Sequence, residues 1–100
     1  MQKQTMTAEL ASVRVIVYGQ VQGVFFRMFA AQKARNLGLT GYVRNLPSGN
    51  AVEVQAEGDR EKLERLIQNL KLGPPGASVK KIAASWSKYG GLYPKFDIRY

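Results

Sequence analysis

The chain has 100 residues, 45% apolar and 22% charged, which is enough for one domain with one core and too little for a second. It contains no cysteine and no histidine, which excludes disulfide scaffolds, thiol nucleophiles, histidine relays and nearly all zinc chemistry. A formal charge of +8 attracts anions without choosing among nucleic acid, an acidic membrane surface and a small phosphorylated molecule.

No basic run is longer than Lys80-Lys81, so there is no polybasic tail of the kind that condenses on nucleic acid. No apolar run approaches the roughly 18 residues that span a bilayer, and a membrane location is not expected. Residues 1–11 are polar and small, without the apolar stretch of a secretory signal. They read as a flexible N-terminal extension ahead of a domain over 12–100, and a cytoplasmic protein is expected.

From Ser12 to Tyr18 the valines alternate with Arg14, Ile16 and Tyr18, which predicts a strand with apolar groups on both faces, central in its sheet. Gly19 to Arg27 reads GQVQGVFFR and joins that strand to helical spacing beginning at Phe26. Glycines let such a loop curl, a helix start points unpaired N–H groups outward, and a guanidinium offers a fork of donors, so the junction suits an anion. Gly-rich loops also make plain turns, and the loop alone does not decide between the two.

Phe26, Phe29, Ala30, Ala34 and Leu37 predict a helix of about three turns, with Gly38 as its left-handed stop. Leu39 to Arg44 and Val52 to Glu57 form a hairpin around a turn marked by Pro47 and Gly49, and Glu53 and Glu57 are expected on its solvated face. Asp59 caps a second helix carrying Leu63, Leu66, Ile67 and Leu70, closed by Gly73-Pro74-Pro75-Gly76. Val79 to Ser87 reads as an edge strand dressed with lysines, Tyr89 to Pro94 as a loop, and Phe96, Ile98 and Tyr100 as alternate positions of a last strand.

The order β-α-β-β-α-β predicts an α+β, ferredoxin-like split β-α-β sandwich: two helices on one face of a mixed, mainly antiparallel sheet, with an additional C-terminal strand. Phe26, Phe29, Leu37, Leu63, Leu66, Ile67 and Leu70 are expected to face Val15 or Ile16, Val43, Val54, Ile82 and Trp86 across the core. Such folds serve many functions, among them RNA binding. RNA modules stack bases on aromatics of the central strands, whereas Val52 to Glu57 has no aromatic and places Glu53, Gln55 and Glu57 on its open face, so nucleic acid is not expected as an obligate partner.

YGQVQGVFFR at Tyr18 to Arg27 and GYVRNLPSGNAVEV at Gly41 to Val54 resemble the two motifs of the acylphosphatases, in that order and at that family's spacing. The resemblance continues through Ala56 to Gly58, GPPGA at Gly73 to Ala77, Trp86, and FDIRY at Phe96 to Tyr100. It implies hydrolysis of acyl phosphates, small-molecule carboxyl-phosphate mixed anhydrides, to a carboxylate and inorganic phosphate, with no metal or organic cofactor; a monomer is expected. By position it makes Arg27 the phosphate-binding catalytic arginine, Asn45 the residue that holds the attacking water, and the N–H groups of Gln22, Gly23, Val24, Phe25, Phe26 and Arg27 the phosphate cradle. Ser48 stands where the family commonly has aspartate, the turn at Gly49-Asn50-Ala51 reads one residue longer, and Phe25 is bulkier than the residue often found there. By the same resemblance the carboxylate of Tyr100 would lie near Arg27 and orient it.

The chemistry is consistent with these residue types. A carboxylate is a good leaving group, so the main tasks are to bind three phosphoryl oxygens and to place a water in line. An amide such as Asn45 can orient a water but not deprotonate it, and the missing histidine is no obstacle. Asn45 could equally cap a turn, and Tyr18 and Phe25 could line an acyl pocket or pack in the core.

Overall fold

In the computed structural model, which describes residues 9–100, the elements follow as β1 (Leu10–Gln20), α1 (Phe26–Asn36), β2 (Thr40–Asn45), β3 (Ala51–Asp59), α2 (Arg60–Leu72), β4 (Ser78–Ser87) and β5 (Phe96–Arg99). One sheet runs in the order β4-β1-β3-β2-β5, antiparallel throughout except for the parallel pair β2 and β5. This is the ferredoxin-like arrangement expected from the sequence, with β5 as the added edge strand. β1 begins at Leu10, so Leu10 and Ala11, read above as part of the extension, pair with Asp59 and Gly58. Residues 1–8 of that extension lie outside the described residues.

Strict alternation on β1 and β3 creates the core. Val13, Val15 and Val17 face the helices opposite Ala56, Val54 and Val52, and all six side chains are fully buried. Against them α1 lays Phe26, Ala30, Ala31 and Ala34, and α2 lays Leu63, Leu66 and Leu70. Val15 is therefore the core residue, and Ile16 is buried on the opposite face. Phe29 flanks the apolar stripe of α1 and stays half-buried outside the central cluster, unlike the expectation above. Asp59 caps α2 by accepting from the Glu61 N–H at 2.9 Å, whereas α1 has no side-chain cap. No helix among the described residues is long and apolar enough to cross a membrane.

Glu53 and Glu57 overturn the reading of a solvated face: they are only 3% and 2% exposed. Glu53 accepts hydrogen bonds from Arg14 of one neighbouring strand, Arg44 of the other and the Tyr42 hydroxyl. Burial alone would raise its pKa, but the hydrogen bonds from Arg44 and Arg14 outweigh that and hold the carboxyl below its ordinary value. Burial, and then the charge of Glu53, push the Tyr42 hydroxyl up. Glu57 accepts from the N–H groups of Gly90 and Leu92 at 3.0 and 3.1 Å, which anchors the segment crossing from the β4 edge to the β5 edge. Alternation says which face a side chain takes, not that the chain's own arginines and loop will cover it. These carboxylates accordingly carry no weight against nucleic acid, and the lack of aromatics on β3 is what remains of that argument.

Glu53→Gln should cost about 2 kcal/mol at neutral pH, because two arginines and a tyrosine lose an ionised partner. With a folded pKa below the ordinary value near 4.5, the stability Glu53 supplies is complete above that value and is lost as pH falls through the depressed one. Denaturant unfolding from pH 7 to pH 2 should show a shallower acid decline in Glu53→Gln than in the parent.

Candidate active site

The site starts where β1 leaves the sheet. The β1–β4 register slips between Tyr18 and Gly19, and Gly19 adopts φ 137° with the Ser78 carbonyl oxygen 2.0 Å from where a Cβ would stand. Only glycine fits that bulge. Its N–H donates to the Asn50 carbonyl at 2.9 Å, which fastens the loop to the β2–β3 turn. Val21 is fully buried and holds the loop from below.

Gly23 and Phe25 both have positive φ, 73° and 59°, so left-handed residues recur two positions apart just before α1. Among the described residues no carbonyl accepts from the N–H groups of Gln22 to Arg27, and the first helical bond is Phe29 N–H to the Phe25 carbonyl. The helix also lacks an acidic residue in its first turn. A set of unpaired donors at the positive end of a helix is an anion site in its chemistry.

Asn45 ends β2 opposite Val52, which aims it to the helix side of the sheet beside that loop. Gln22 locks the two together: its side-chain amide donates to the carbonyls of Leu46 and Ala51, at 2.9 and 2.8 Å. Arg27 donates through Nη1 to the Arg99 carbonyl at 3.1 Å, and its guanidinium lies 4.6 Å from the Tyr100 ring centroid. The Arg99 carbonyl and the Tyr100 ring thus take the orienting part expected of the terminal carboxylate.

A cavity of about 300 Å³ results, lined by Gly23, Phe25, Phe26 and Arg27 from the loop and helix start, by Asn45 from β2, and by Ile98 and Tyr100 from the C-terminal strand. The candidate residues Arg27 and Asn45 meet there. Gln22 and Val24 do not line it; the first turns its side chain to the hairpin and the second packs against the core. The clamp by Gln22 has no signature in the sequence, since its two acceptors become neighbours only once β2 and β3 have paired.

The model of the acylphosphatase family matches residues 13–98, nearly the whole chain. The chain belongs to the acylphosphatase family. It is 46% identical over 93 residues to an acylphosphatase of an Anaeromyxobacter species, covering 93% of this chain and 99% of that one. It is 47% identical over 88 residues to an acylphosphatase of Dehalococcoides mccartyi, covering 88% and 97%. The crystal structure of the Bacillus subtilis acylphosphatase superposes with a TM-score of 0.86 at 36% identity, covering 92% of this chain and 100% of that one. The fold and the enzyme class are therefore those the two motifs resemble.

Two outcomes follow for the loop. Gln22→Ala should lower stability by about 1 kcal/mol by removing the side-chain donor shared by two carbonyls, which keep only their N–H donors from Gly49 and Leu46, and should speed amide exchange at Leu46 and Ala51 ahead of the rest of the sheet. Phe25 is 78% exposed, so Phe25→Asn loses little burial while placing a residue that tolerates the left-handed region. Unfolding in denaturant should show Phe25→Asn more stable than the parent by about 0.5–1 kcal/mol.

Proposed function

We propose that this cavity hydrolyses acyl phosphates, with the phosphoryl group held by the N–H groups of Gln22 to Arg27 and by the Arg27 guanidinium, and with water positioned by Asn45. The observation that carries the reading is the convergence on one cavity of Arg27, Asn45 and the loop residues Gly23, Phe25 and Phe26, whose N–H groups are unpaired. The relatives' name, acylphosphatase, states the same reaction.

The water oxygen forms a bond to phosphorus as the bond from phosphorus to the acyl oxygen breaks. The electron pair of that bond leaves on the carboxylate. Neutral N–H dipoles and one guanidinium stabilise charge on the three equatorial oxygens, where it accumulates in the transition state. The Asn45 amide carries both an acceptor oxygen and a donor NH2 group, so it can fix the lone pair of a water without taking a proton. The proton passes to a phosphoryl oxygen of the substrate or to solvent and departs with inorganic phosphate or buffer. Every group needed lies on one chain, so the reaction requires neither a second copy nor nucleic acid.

Arg27→Ala should lose phosphate affinity and turnover together, with kcat/KM down by about a thousandfold. Asn45→Ala should keep the inhibition constant of inorganic phosphate, which is expected to compete with substrate for the cradle, while kcat falls about a hundredfold or more. Near-parental turnover in Asn45→Ala would remove that residue from the water-holding role.

A further inference from the structure

The cavity does not end at the phosphate cradle. Phe25, Met28 and Ile98, which line it, also line a larger hollow of about 550 Å³ bordered by Phe29, Gln32, Arg35 and Pro74. Positions 25, 28, 29, 32 and 35 follow one stripe of α1, and at 1.5 Å per residue the stripe extends about 15 Å from the cradle. Its first part is apolar. Phe25 and Met28 stand 78% and 60% exposed, although the core beneath has closed without them.

Phe25 is also the only non-glycine among the described residues with positive φ. A large aromatic side chain held outward in a disfavoured backbone conformation, at the junction of two hollows, has no account in packing. A ligand supplies one.

We infer that this groove is the subsite for the acyl group, and that it favours acyl phosphates whose acyl part is an extended apolar chain well beyond acetyl. The inference rests on the hydrolytic reading above and adds the substrate class. In-line displacement puts the attacking and leaving oxygens on opposite sides of phosphorus, so the acyl group must exit away from the water. Asn45 lines the cavity but not the groove, as that geometry requires. From Phe25 to Gln32 the apolar stretch is about 10 Å, room for an extended chain the length of octanoyl. Beyond it Arg35 is tied through Nε and Nη2 to the Phe96 carbonyl, and the groove turns polar.

The test uses the full chain and a straight-chain series of acetyl, butanoyl, hexanoyl and octanoyl phosphates. The leaving carboxylates have nearly equal basicity, so a change of kcat/KM along the series reports contacts to the chain and not intrinsic reactivity. We expect kcat/KM to rise by about fivefold per two-carbon step, with half-exposed methylenes each contributing less than full burial would. Met28→Ser and Phe29→Ser should flatten that slope, each referenced to its own rate on acetyl phosphate, which also reports that the variant has folded. A flat series in a parent protein that hydrolyses acetyl phosphate would overturn the groove and leave the hydrolytic reading standing. A slope untouched by both substitutions would place the chain elsewhere and overturn it as well. Failure to hydrolyse any member would overturn the hydrolytic reading, and the subsite with it.

Discussion

The antiparallel pairing of β1 with β3 is the constraint on which the rest depends. With Val15 opposite Val54, the register runs on to Tyr18 opposite Ala51, so the chain leaves β1 at the same sheet end where the hairpin returns into β3. The cradle loop and the turn that presents Asn45 are neighbours for that reason alone. Gly19 and Gln22 then convert proximity into a fixed relation through bonds to Asn50, Leu46 and Ala51. A slip of one residue would invert the valine faces and separate the two motifs together. Core formation and site assembly are thus one event in this fold.

The open face of the sheet shows how a small basic domain accommodates carboxylates without solvating them. Glu53 sits on the central strand between two arginines of flanking strands, a bridge that spans β1, β3 and β2. Glu57, two repeats of the pleat further, accepts two backbone N–H groups from the segment that must cross the sheet to start β5. That crossing matters to the site. β5 carries Ile98 and Arg99 and leads to Tyr100, so the carbonyl that holds Arg27 is delivered by a strand whose approach Glu57 helps to fix.

Much of this could be read from the sequence because it is local. The valine alternation, the Asp59 cap, the Gly38 stop and the GQVQGVFFR junction each depend on a few consecutive residues, and the two motifs carry the family with them. What could not be read depends on pairing across long separations. The Gln22 amide reaches residues 24 and 29 positions away, and Arg27 reaches one 72 positions away. Periodicity assigned Glu53 and Glu57 to the correct face and still missed their burial, because the cover comes from arginines and a crossing loop. Phe29 was misplaced for the opposite reason: a helical stripe about 100° wide has edges, and spacing alone does not say which edge residue meets the sheet.

The electrostatic design of the loop explains how so small a set of groups can serve. A cation on the first turn of a helix opposes the macrodipole, and α1 has no acidic residue there to compensate. Without an anion, the unpaired N–H groups and Arg27 leave an excess of positive potential that only solvent screens. In the proposed reaction a bound phosphate would correct it in one step, and a phosphoryl group moving toward its transition state would correct it further as charge spreads over the equatorial oxygens. The strain at Phe25 belongs to the same balance: the backbone that brings the donors together is one that an aromatic residue resists, and the fully buried Val21 and Phe26 on either side hold it there. On the proposed reading, stability given up at this junction leaves the cradle formed before the substrate arrives.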